Sequence, residues 1–216
     1  EMSRGLGDVY KRQDYGIWVE QTATDRTGMY RLTFTQDSDA DILVNLGGYI
    51  ASTTMRNADV KKVFNNEIEG SFDTYGRHWG GPENVKVHFV IRFDKDFERL
   101  DGWRDKERYS DIDTLQGSSI ITRRHPKEEL SYLDSPTSGV SAHYRVKTGD
   151  KICVRTAISY VSVDNARENL ENDAVTWDFD LVKKTSQDEW NKWLGRIEVK
   201  GLSLIHISEP TRHLRI

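Results

Sequence analysis

The feature that constrains the fold most strongly is the alternation of apolar and polar side chains in residues 85–93. One side of this segment carries the apolar residues Val85, Val87, Phe89, Ile91 and Phe93. The other side carries the polar residues Lys86, His88 and Arg92. A repeat of two predicts a half-buried β-strand, because a helix would scatter the same side chains around its axis. Residues 75–82 are rich in glycine, aromatic and basic side chains, which predicts a binding loop held on a rigid strand.

The same period of two recurs in other segments that are separated by turn residues. We predict strands at residues 17–23, 29–35, 42–46, 60–64, 68–72, 140–146 and 152–160. Asn65 and Asn66 stand between two of them and predict a hairpin, because asparagine tolerates positive φ. Residues 147–150 predict another turn. About eight short strands joined in this way predict an antiparallel β-sandwich.

The periodicity becomes helical after residue 162. Residues 163–172 predict one short helix, and Asp178 is the expected N-cap of a second. Apolar residues recur in this second helix at helical spacing: Phe179, Val182, Trp190, Trp193 and Leu194. Asp188 and Lys192 predict an i,i+4 ion pair on its polar face. The apolar face either caps the chain's own sandwich or docks on a following domain, and we expect the second.

The composition is that of a globular domain, with 36% hydrophobic and 31% charged residues and a net charge of −4. The acidic balance and the lack of a Lys/Arg cluster argue against nucleic-acid binding, which depends on neutralising phosphates. No apolar run approaches the roughly 20 residues of a membrane-spanning helix. Cys153 is the single cysteine, so we expect a small buried apolar residue rather than a disulfide framework or a zinc site.

The two ends of the chain are related to each other as an inverted repeat. One DNA string encodes residues 3–13 (SRGLGDVYKRQ), and its reverse complement encodes residues 202–212 (LSLIHISEPTR). The string resembles an adapter of transposon-based sequencing libraries. We therefore predict that residues 1–13 and 202–216 derive from adapter sequence and exclude them from the fold. The remaining segment is expected to be cut from a longer reading frame.

Several blocks of the chain resemble, in order, the N-terminal domain of glycoside hydrolase family 92, a family of exo-acting α-mannosidases. The blocks are residues 18–34 (WVEQTATDRTGMYRLTF), 42–49 (ILVNLGGY), 68–70 (IEG), 76–97 (GRHWGGPENVKVHFVIRFDKDF), 158–173 (ISYVSVDNARENLEND) and 177–199 (WDFDLVKKTSQDEWNKWLGRIEV). The resemblance implies a β-sandwich at residues 14–161 and a helical linker at residues 162–201 that leads to a C-terminal (α/α)₆ domain. Residues 105–138 depart from the family pattern, being longer and more charged, and would form an inserted hairpin or lid.

The resemblance also implies an enzyme that removes terminal α-mannose from glycans with inversion, at a site between the two domains, and a Ca²⁺ ion that binds the mannose. It further implies a periplasmic or secreted location. The family's acid and base carboxylates and its Ca²⁺ ligands belong to the helical domain, so this chain alone is expected to be inactive. We assign no catalytic residue and no metal ligand to it.

The best candidate for sugar binding is the cluster of Arg77, His78 and Trp79. An indole stacks on the C–H face of a sugar, and the neighbouring polar side chains suit its hydroxyl groups. The alternative is that Trp79 packs its loop against the sandwich or the helical domain.

Other candidates have simpler interpretations. Asp178 and Asp180 suit a helix cap and its first turn, and Glu67 and Glu69 suit a solvated strand face. Three aspartates resemble the start of a calcium loop but lack its glycine and glutamate, which favours a solvated acidic turn: Asp37, Asp39 and Asp41. Packing roles are expected for Trp103, Trp190 and Trp193, and surface positions for His88 and His143.

Two functions outside catalysis remain open as alternatives to the mannosidase domain. One is a stand-alone carbohydrate-binding module, and the other is a purely structural domain. Each would require the apolar face of the second helix to be covered within the chain itself.

Overall fold

The computed structural model describes residues 8–12, 15–50, 53–78, 81–118, 138–173 and 176–196. Within these residues the chain forms thirteen strands and two helices. The strands are β1 (Asp8–Arg12), β2 (Ile17–Ala23), β3 (Thr27–Phe34), β4 (Ser38–Asn45), β5 (Gly48–Ile50), β6 (Thr53–Phe64), β7 (Glu67–His78), β8 (Gly81–Phe93), β9 (Arg99–Arg104), β10 (Glu107–Tyr109), β11 (Thr114–Gln116), β12 (Ser138–Val146) and β13 (Lys151–Ser159). The helices are α1 (Val163–Asp173) and α2 (Phe179–Leu194). The predicted number of about eight strands was too low, because three-residue strands such as β5 and β10 are too short to display an alternation.

The strands form two antiparallel sheets. The large sheet has the order β1-β2-β3-β13-β8-β7-β6-β11, and β5 also pairs with β6. The small sheet has the order β10-β9-β12-β4. The predicted class, mainly β with antiparallel sheets followed by C-terminal helices, is confirmed. Strand β1 lies within the segment that we attribute to adapter sequence, and the origin of that segment stays a prediction.

The core lies between the two sheets. Phe93, Ile68 and Ile152 of the large sheet and Leu100 and Val140 of the small sheet are buried in one apolar cluster. Burial of this kind contributes about 25 cal/mol per Å² of apolar surface removed from water, and it is the main stabilising term of the fold. The apolar side of the alternation in residues 85–93 therefore faces the core, as predicted.

The outer face of the large sheet is covered by α1. Val90 and Ala157 of the sheet and Ala166 and Leu170 of the helix form a second buried apolar cluster. This cover explains the apolar residue Val90 on the otherwise polar side of β8. The middle of β8 is therefore buried on both faces, whereas the alternation predicted burial on one.

Both predicted turns are present, but the asparagines of the first do not have the positive φ on which its prediction was based. Residues 65–66 connect β6 and β7 as a hairpin, but neither asparagine has positive φ. The left-handed asparagine is Asn57, at an irregularity in the pairing of β6 with β7. In the turn of residues 147–150, Gly149 has a φ of +89°, which favours glycine.

Two side chains with a predicted surface or packing role are fixed by neighbours. His143 was expected at the surface but is 7% exposed, because β12 lies between β4 and β9 and their side chains flank it. Its Nδ1 lies 3.2 Å from Oδ1 of Asp41. Trp103 packs as predicted: a Cβ on Gly139 would lie 2.5 Å from its ring, so the position needs glycine.

Among the described residues, no helix is long and apolar enough to span a membrane.

Candidate functional site

The predicted sugar-binding cluster falls at the tip of the β7–β8 hairpin. Residues 75–78 and 81–82 are strand rather than loop, because β7 continues to His78 and pairs with β8 up to the register His78↔Gly81. The side chains of Arg77 and His78 and all of Trp79 lie outside the described residues. Their role in sugar binding therefore stays a prediction.

The described part of this hairpin carries an aromatic residue that the sequence analysis did not single out. Tyr75 is exposed, and the guanidinium of Arg56 lies 4.9 Å from the centroid of its ring. Nearby, Asn57 Nδ2 donates to Asp73 Oδ2 at 2.8 Å. Thr54 of β6 pairs with Tyr75 of β7, and this register places Arg56, two residues further along β6, beside Tyr75. Only an alignment of strands could have linked Arg56 to Tyr75, since the two are far apart in sequence.

A partly buried ionic cluster, centred on Glu67, joins α1 to the outer face of the large sheet. Glu67 was predicted to be solvated, but it is 1% exposed and accepts hydrogen bonds from Arg92 and from Arg167. Arg167 also donates to Glu69 at 2.5 Å. The correction has a clear cause: α1 lies across β7 and β8 and removes this part of the sheet from water. We call Glu67, Glu69, Arg92 and Arg167 the ionic clamp.

The charges of the ionic clamp support one another. Burial alone would lower the pKa of Arg167, but its hydrogen bonds to Glu67 and Glu69 raise it. Arg155, beside Arg92 on the neighbouring strand β13, has its pKa lowered by burial and by the charge of Arg92. The ring of Trp177 covers Arg155, with the guanidinium 3.9 Å from the ring centroid. Cation–π contacts of this kind are favourable when the cation is removed from water.

Helix α2 is attached to the sheet by its first turn. Asp178 is the N-cap, as predicted, and accepts a hydrogen bond from the backbone N of Leu181 at 3.0 Å. Asp180 accepts from Arg31 at 2.7 Å, and Arg31 also binds Glu20. These hydrogen bonds raise the pKa of Arg31 and lower that of Asp180. Arg31 also lies over the ring of Phe179, with its guanidinium 4.5 Å from the ring centroid.

Beyond this first turn, α2 leaves the sheet and borders an open groove of about 1240 Å³. The opposite wall is the β2–β3 hairpin, including residues 21–25, Gly28 and Tyr30. Trp190 and Trp193 line the groove and are half exposed, so their predicted packing roles are not met within the described residues. The predicted pair of Asp188 with Lys192 is also wrong, because Asp188 binds Lys184.

Three acids with strong partners or a shifted pKa are held in structural roles: Glu67, Asp180 and Asp94. An inverting pair needs one protonated and one ionised carboxyl group about 6.5–9.5 Å apart, with a water between them and the sugar. Glu67 is occupied by two arginines, and Asp180 is bound to Arg31. Burial raises the pKa of Asp94, but this carboxylate accepts the backbone N–H of Cys153 at 2.8 Å. Each of these acids thus has a structural partner.

The acidic turn expected at residues 37–41 is partly a strand. Asp39 and Asp41 lie in β4, and Asp37 accepts two hydrogen bonds from Thr148, at 2.7 Å from its backbone N and 2.9 Å from Oγ1. These hydrogen bonds lower the pKa of Asp37. In the part of the chain that the structure describes, no group of three or more His, Cys, Asp or Glu residues could hold a metal ion. The described residues thus do not fit a calcium site.

Two protein-family models match the chain. The glycosyl hydrolase family 92 N-terminal domain matches residues 9–159, and the glycosyl hydrolase family 92 catalytic domain matches residues 165–209. The second match begins within α1 and covers all of α2. The residues that we predict as a linker therefore coincide largely with residues that match the catalytic-domain model. No curated protein sequence matches the chain.

Solved structures with the same fold are several times longer than this chain. The family GH92 alpha-mannosidase BT3965 from Bacteroides thetaiotaomicron is 22% identical with a TM-score of 0.71, and the match covers 91% of this chain and 24% of that one. The family GH92 inverting mannosidase BT2199 from the same organism is 16% identical with a TM-score of 0.70, covering 92% and 23%. The GH92 family glycosyl hydrolase ccman5 is 19% identical with a TM-score of 0.67, covering 90% and 23%.

These structures establish the shared fold, and this chain spans about a quarter of the length of each of them. The family assignment rests on the sequence model instead, since the N-terminal domain model alone covers more than half of the chain. The predicted family resemblance is thereby confirmed, and the chain belongs to glycosyl hydrolase family 92.

Proposed function

We propose that the chain is the N-terminal domain of an inverting α-mannosidase that removes terminal α-mannose from glycans. In this proposal the sandwich forms one wall of the mannose site and supports a C-terminal (α/α)₆ catalytic domain of the same polypeptide. The chain alone has no mannosidase activity. The enzyme works in the periplasm or outside the cell, where mannose-containing glycans are accessible.

The observation that carries the proposal is the order of the two family matches along one chain. The match to the N-terminal domain model ends at residue 159 of this chain, and the match to the catalytic-domain model begins at residue 165. The solved relatives are called alpha-mannosidase and inverting mannosidase, which supports mannosides as the substrate class. Glu67 is held by two arginines and Asp94 by a backbone N–H group, so neither is free to react, which supports placing the reacting carboxyl pair in the catalytic domain.

The β7–β8 hairpin is the part of the chain that we assign to the sugar. Its tip carries Arg77, His78 and Trp79, and its described flank carries the exposed ring of Tyr75. A Trp ring facing a mannose would stack on its C–H face, while Arg and His would reach its hydroxyl groups. These residues would bind substrate rather than transfer protons.

The family resemblance implies a Ca²⁺ ion for mannose binding. Because the described residues hold no cluster that could bind a metal, we assign no calcium ligand to this chain. The ligands would come from the catalytic domain. No step of the reaction is assigned to residues of the sandwich.

The experiment that tests the proposal compares this chain with a longer polypeptide that continues into the catalytic domain. With an aryl α-mannoside, we expect mannose release from the longer polypeptide and none from the chain alone. The first product seen by NMR should be β-mannose, because the mechanism is inverting. Mannose release by the chain alone, or a longer polypeptide that releases none, would contradict the proposal.

Substitution of Trp79 tests the role of the hairpin. In the longer polypeptide, Trp79→Ala should raise KM for the mannoside, whereas Leu43→Ala should leave it unchanged, since Leu43 is exposed on the edge strand of the other sheet. An unchanged KM for Trp79→Ala would show that the hairpin does not contribute to the sugar site.

A carbohydrate-binding module is the second candidate, favoured by the exposed rings of Tyr75, Trp190 and Trp193. Titration of the chain with mannobiose separates the two candidates. Saturable binding by the isolated chain favours a binding module. Absence of binding agrees with a wall that needs the catalytic domain, and with a purely structural role.

A further inference from the structure

We propose that the groove between α2 and the β2–β3 hairpin is the seat of a helix from the catalytic domain of the same polypeptide. This helix presents apolar and basic side chains to the groove. The inference rests on the proposed function, and it specifies which surface of the chain the catalytic domain contacts.

The geometry of α2 makes this surface available. Its side chains at positions 182, 186, 190 and 193 lie on one face, because they recur at steps of four, four and three residues. Val182 at the start of this face is buried with Phe179, Met29 and Cys153. Further along the same face, Ser186, Trp190 and Trp193 line the groove opposite the β2–β3 hairpin.

The exposed part of α2 is too apolar for a helix that faces water. Trp190, Trp193 and Leu194, at the C-terminal end of this 16-residue helix, are 51%, 54% and 68% exposed. Single exposed apolar residues are common on protein surfaces, but neighbouring large ones mark an interaction surface. Tryptophan is also enriched among the residues that dominate protein interfaces. The guanidinium of Arg196 covers one face of Trp193, at 3.6 Å from the ring centroid.

The charge of the groove restricts its occupant. The lining residues include Asp25, Asp173 and Glu189 and, within the described part of the chain, no lysine or arginine. Asp173 is already engaged, since it accepts a hydrogen bond from the backbone N of Arg26 at 2.9 Å. Asp25 and Glu189 at the rim would favour a partner with lysine or arginine beside its apolar residues.

The family match identifies the partner as the catalytic domain. The catalytic-domain model covers residues 165–209 and therefore includes all of α2 and the residues that follow it. The solved relatives continue for about three quarters of their length outside the region shared with this chain. An amphipathic helix buries its apolar face against a neighbouring element of its own domain. The neighbours of α2 in that domain are the elements able to fill the groove.

Acrylamide quenching of tryptophan fluorescence tests the inference. The quenchable signal of Trp190 and Trp193 is the difference between the wild type and Trp190→Phe/Trp193→Phe, measured in this chain and in the longer polypeptide. We expect a large quenchable fluorescence from Trp190 and Trp193 in this chain and a several-fold smaller one in the longer polypeptide. Equal differences would overturn the inference, and mannose release by the same longer polypeptide would show that the proposed function still stands.

A second measurement uses the double variant Trp190→Ala/Trp193→Ala. Its urea midpoint should match the wild type in this chain and fall below it in the longer polypeptide. The matched control is Leu43→Ala, which is 64% exposed on the other sheet and should change neither midpoint. Equal midpoints for the double variant and the wild type in the longer polypeptide would also overturn the inference.

Two other occupants have distinct signatures. Sedimentation of this chain as a dimer that Trp190→Ala/Trp193→Ala converts to a monomer would place a second copy in the groove and overturn the inference. Quenching of the same two tryptophans by mannobiose would place a sugar there, with the same consequence.

Discussion

The two helices lie on the same sheet but depend on it to different degrees. Helix α1 buries Ala166 and Leu170 against β8 and β13, and its Arg167 reaches the ionic clamp. Helix α2 is longer, yet its buried residues are Phe179 and Val182 in the first turn. In α1 the apolar residues face the sheet, whereas in α2 several of them face the groove and the solvent.

Amphipathicity alone does not determine where a helix packs. Both helices have a polar and an apolar side, but α1 completes the burial of the sheet and α2 brings apolar surface of its own that the described residues leave uncovered. Most of the stability of a helix in a protein comes from packing of its apolar face rather than from the intrinsic propensity of its residues. We infer that α1 belongs energetically to the sandwich and that α2 depends on the catalytic domain.

The largest expected effect comes from the apolar contact of α1. Leu170 is 0% exposed, so Leu170→Ala should lower the free energy of unfolding by about 3 to 4 kcal/mol, through lost burial and the cavity left behind. The same truncation in α2, Leu194→Ala, should change it by less than about 0.5 kcal/mol. Urea unfolding of the two variants measures both values. Similar losses would abolish the distinction between the helices.

The ionic clamp should give the next largest effect. Glu67→Ala leaves Arg92 and Arg167 without their buried partner and should cost about 3 kcal/mol, toward the lower end for a broken buried ion pair, because both arginines still reach water in part. Glu67→Gln should cost less, since the amide oxygen still accepts hydrogen bonds.

The matched control for Glu67 is Glu69→Gln, because Glu69 binds Arg167 alone among the described residues. Its effect should be smaller than that of Glu67→Ala in the same urea experiment. An unfolding free energy that is unchanged in Glu67→Ala would contradict the role of the clamp.

The ionic attachment of α2 should matter less than the clamp. Asp180 is largely exposed, so Asp180→Asn should lower the free energy of unfolding by less than about 1 kcal/mol. The remaining effect should weaken further in 1 M salt, where charges at the surface are screened. A loss as large as that of Glu67→Ala would show that α2 is held as firmly as α1.

A further effect, confined to alkaline pH, is expected from the thiol beneath the first turn of α2. Burial, and then the charge of Asp94, raises the pKa of Cys153 to about 11 from an ordinary value of 9.0. The folded state therefore keeps the thiol proton at a pH where the unfolded state has lost it. This contribution to stability is complete below pH 9 and is lost as the pH rises toward 11.

The measurement is the difference in unfolding free energy between the wild type and Cys153→Ala at pH 8 to 11. Using the difference cancels the titration of other groups, such as Tyr144, whose pKa is also raised by burial. The advantage of the wild type should shrink with rising pH. A difference that stays constant would mean that the thiol is accessible in the folded protein.

The sequence was sufficient to predict the bounds of elements that are set by local chemistry. Strand β2 begins and ends at Ile17 and Ala23 as predicted, and the N-cap of α2 is Asp178. Both depend on local chemistry, namely an alternation of two and a carboxylate that binds the first free backbone N–H groups. The mainly β class followed from many such local signals.

The sequence was insufficient where a distant element changes the environment of a residue. Glu67 looked solvated because nothing nearby in sequence announces that α1 covers it, and His143 is enclosed by strands β4 and β9. Asp188 had equivalent partners at Lys184 and Lys192, and spacing alone could not choose between them.

Hydrogen exchange of this chain tests most directly whether α1 is part of the sandwich and α2 awaits a partner. We expect the backbone amides of α1 to be protected nearly as strongly as those of β8 and β13. The amides in the second half of α2 should exchange at rates close to those of frayed helix ends. Equal protection of the two helices along their whole length would contradict this expectation.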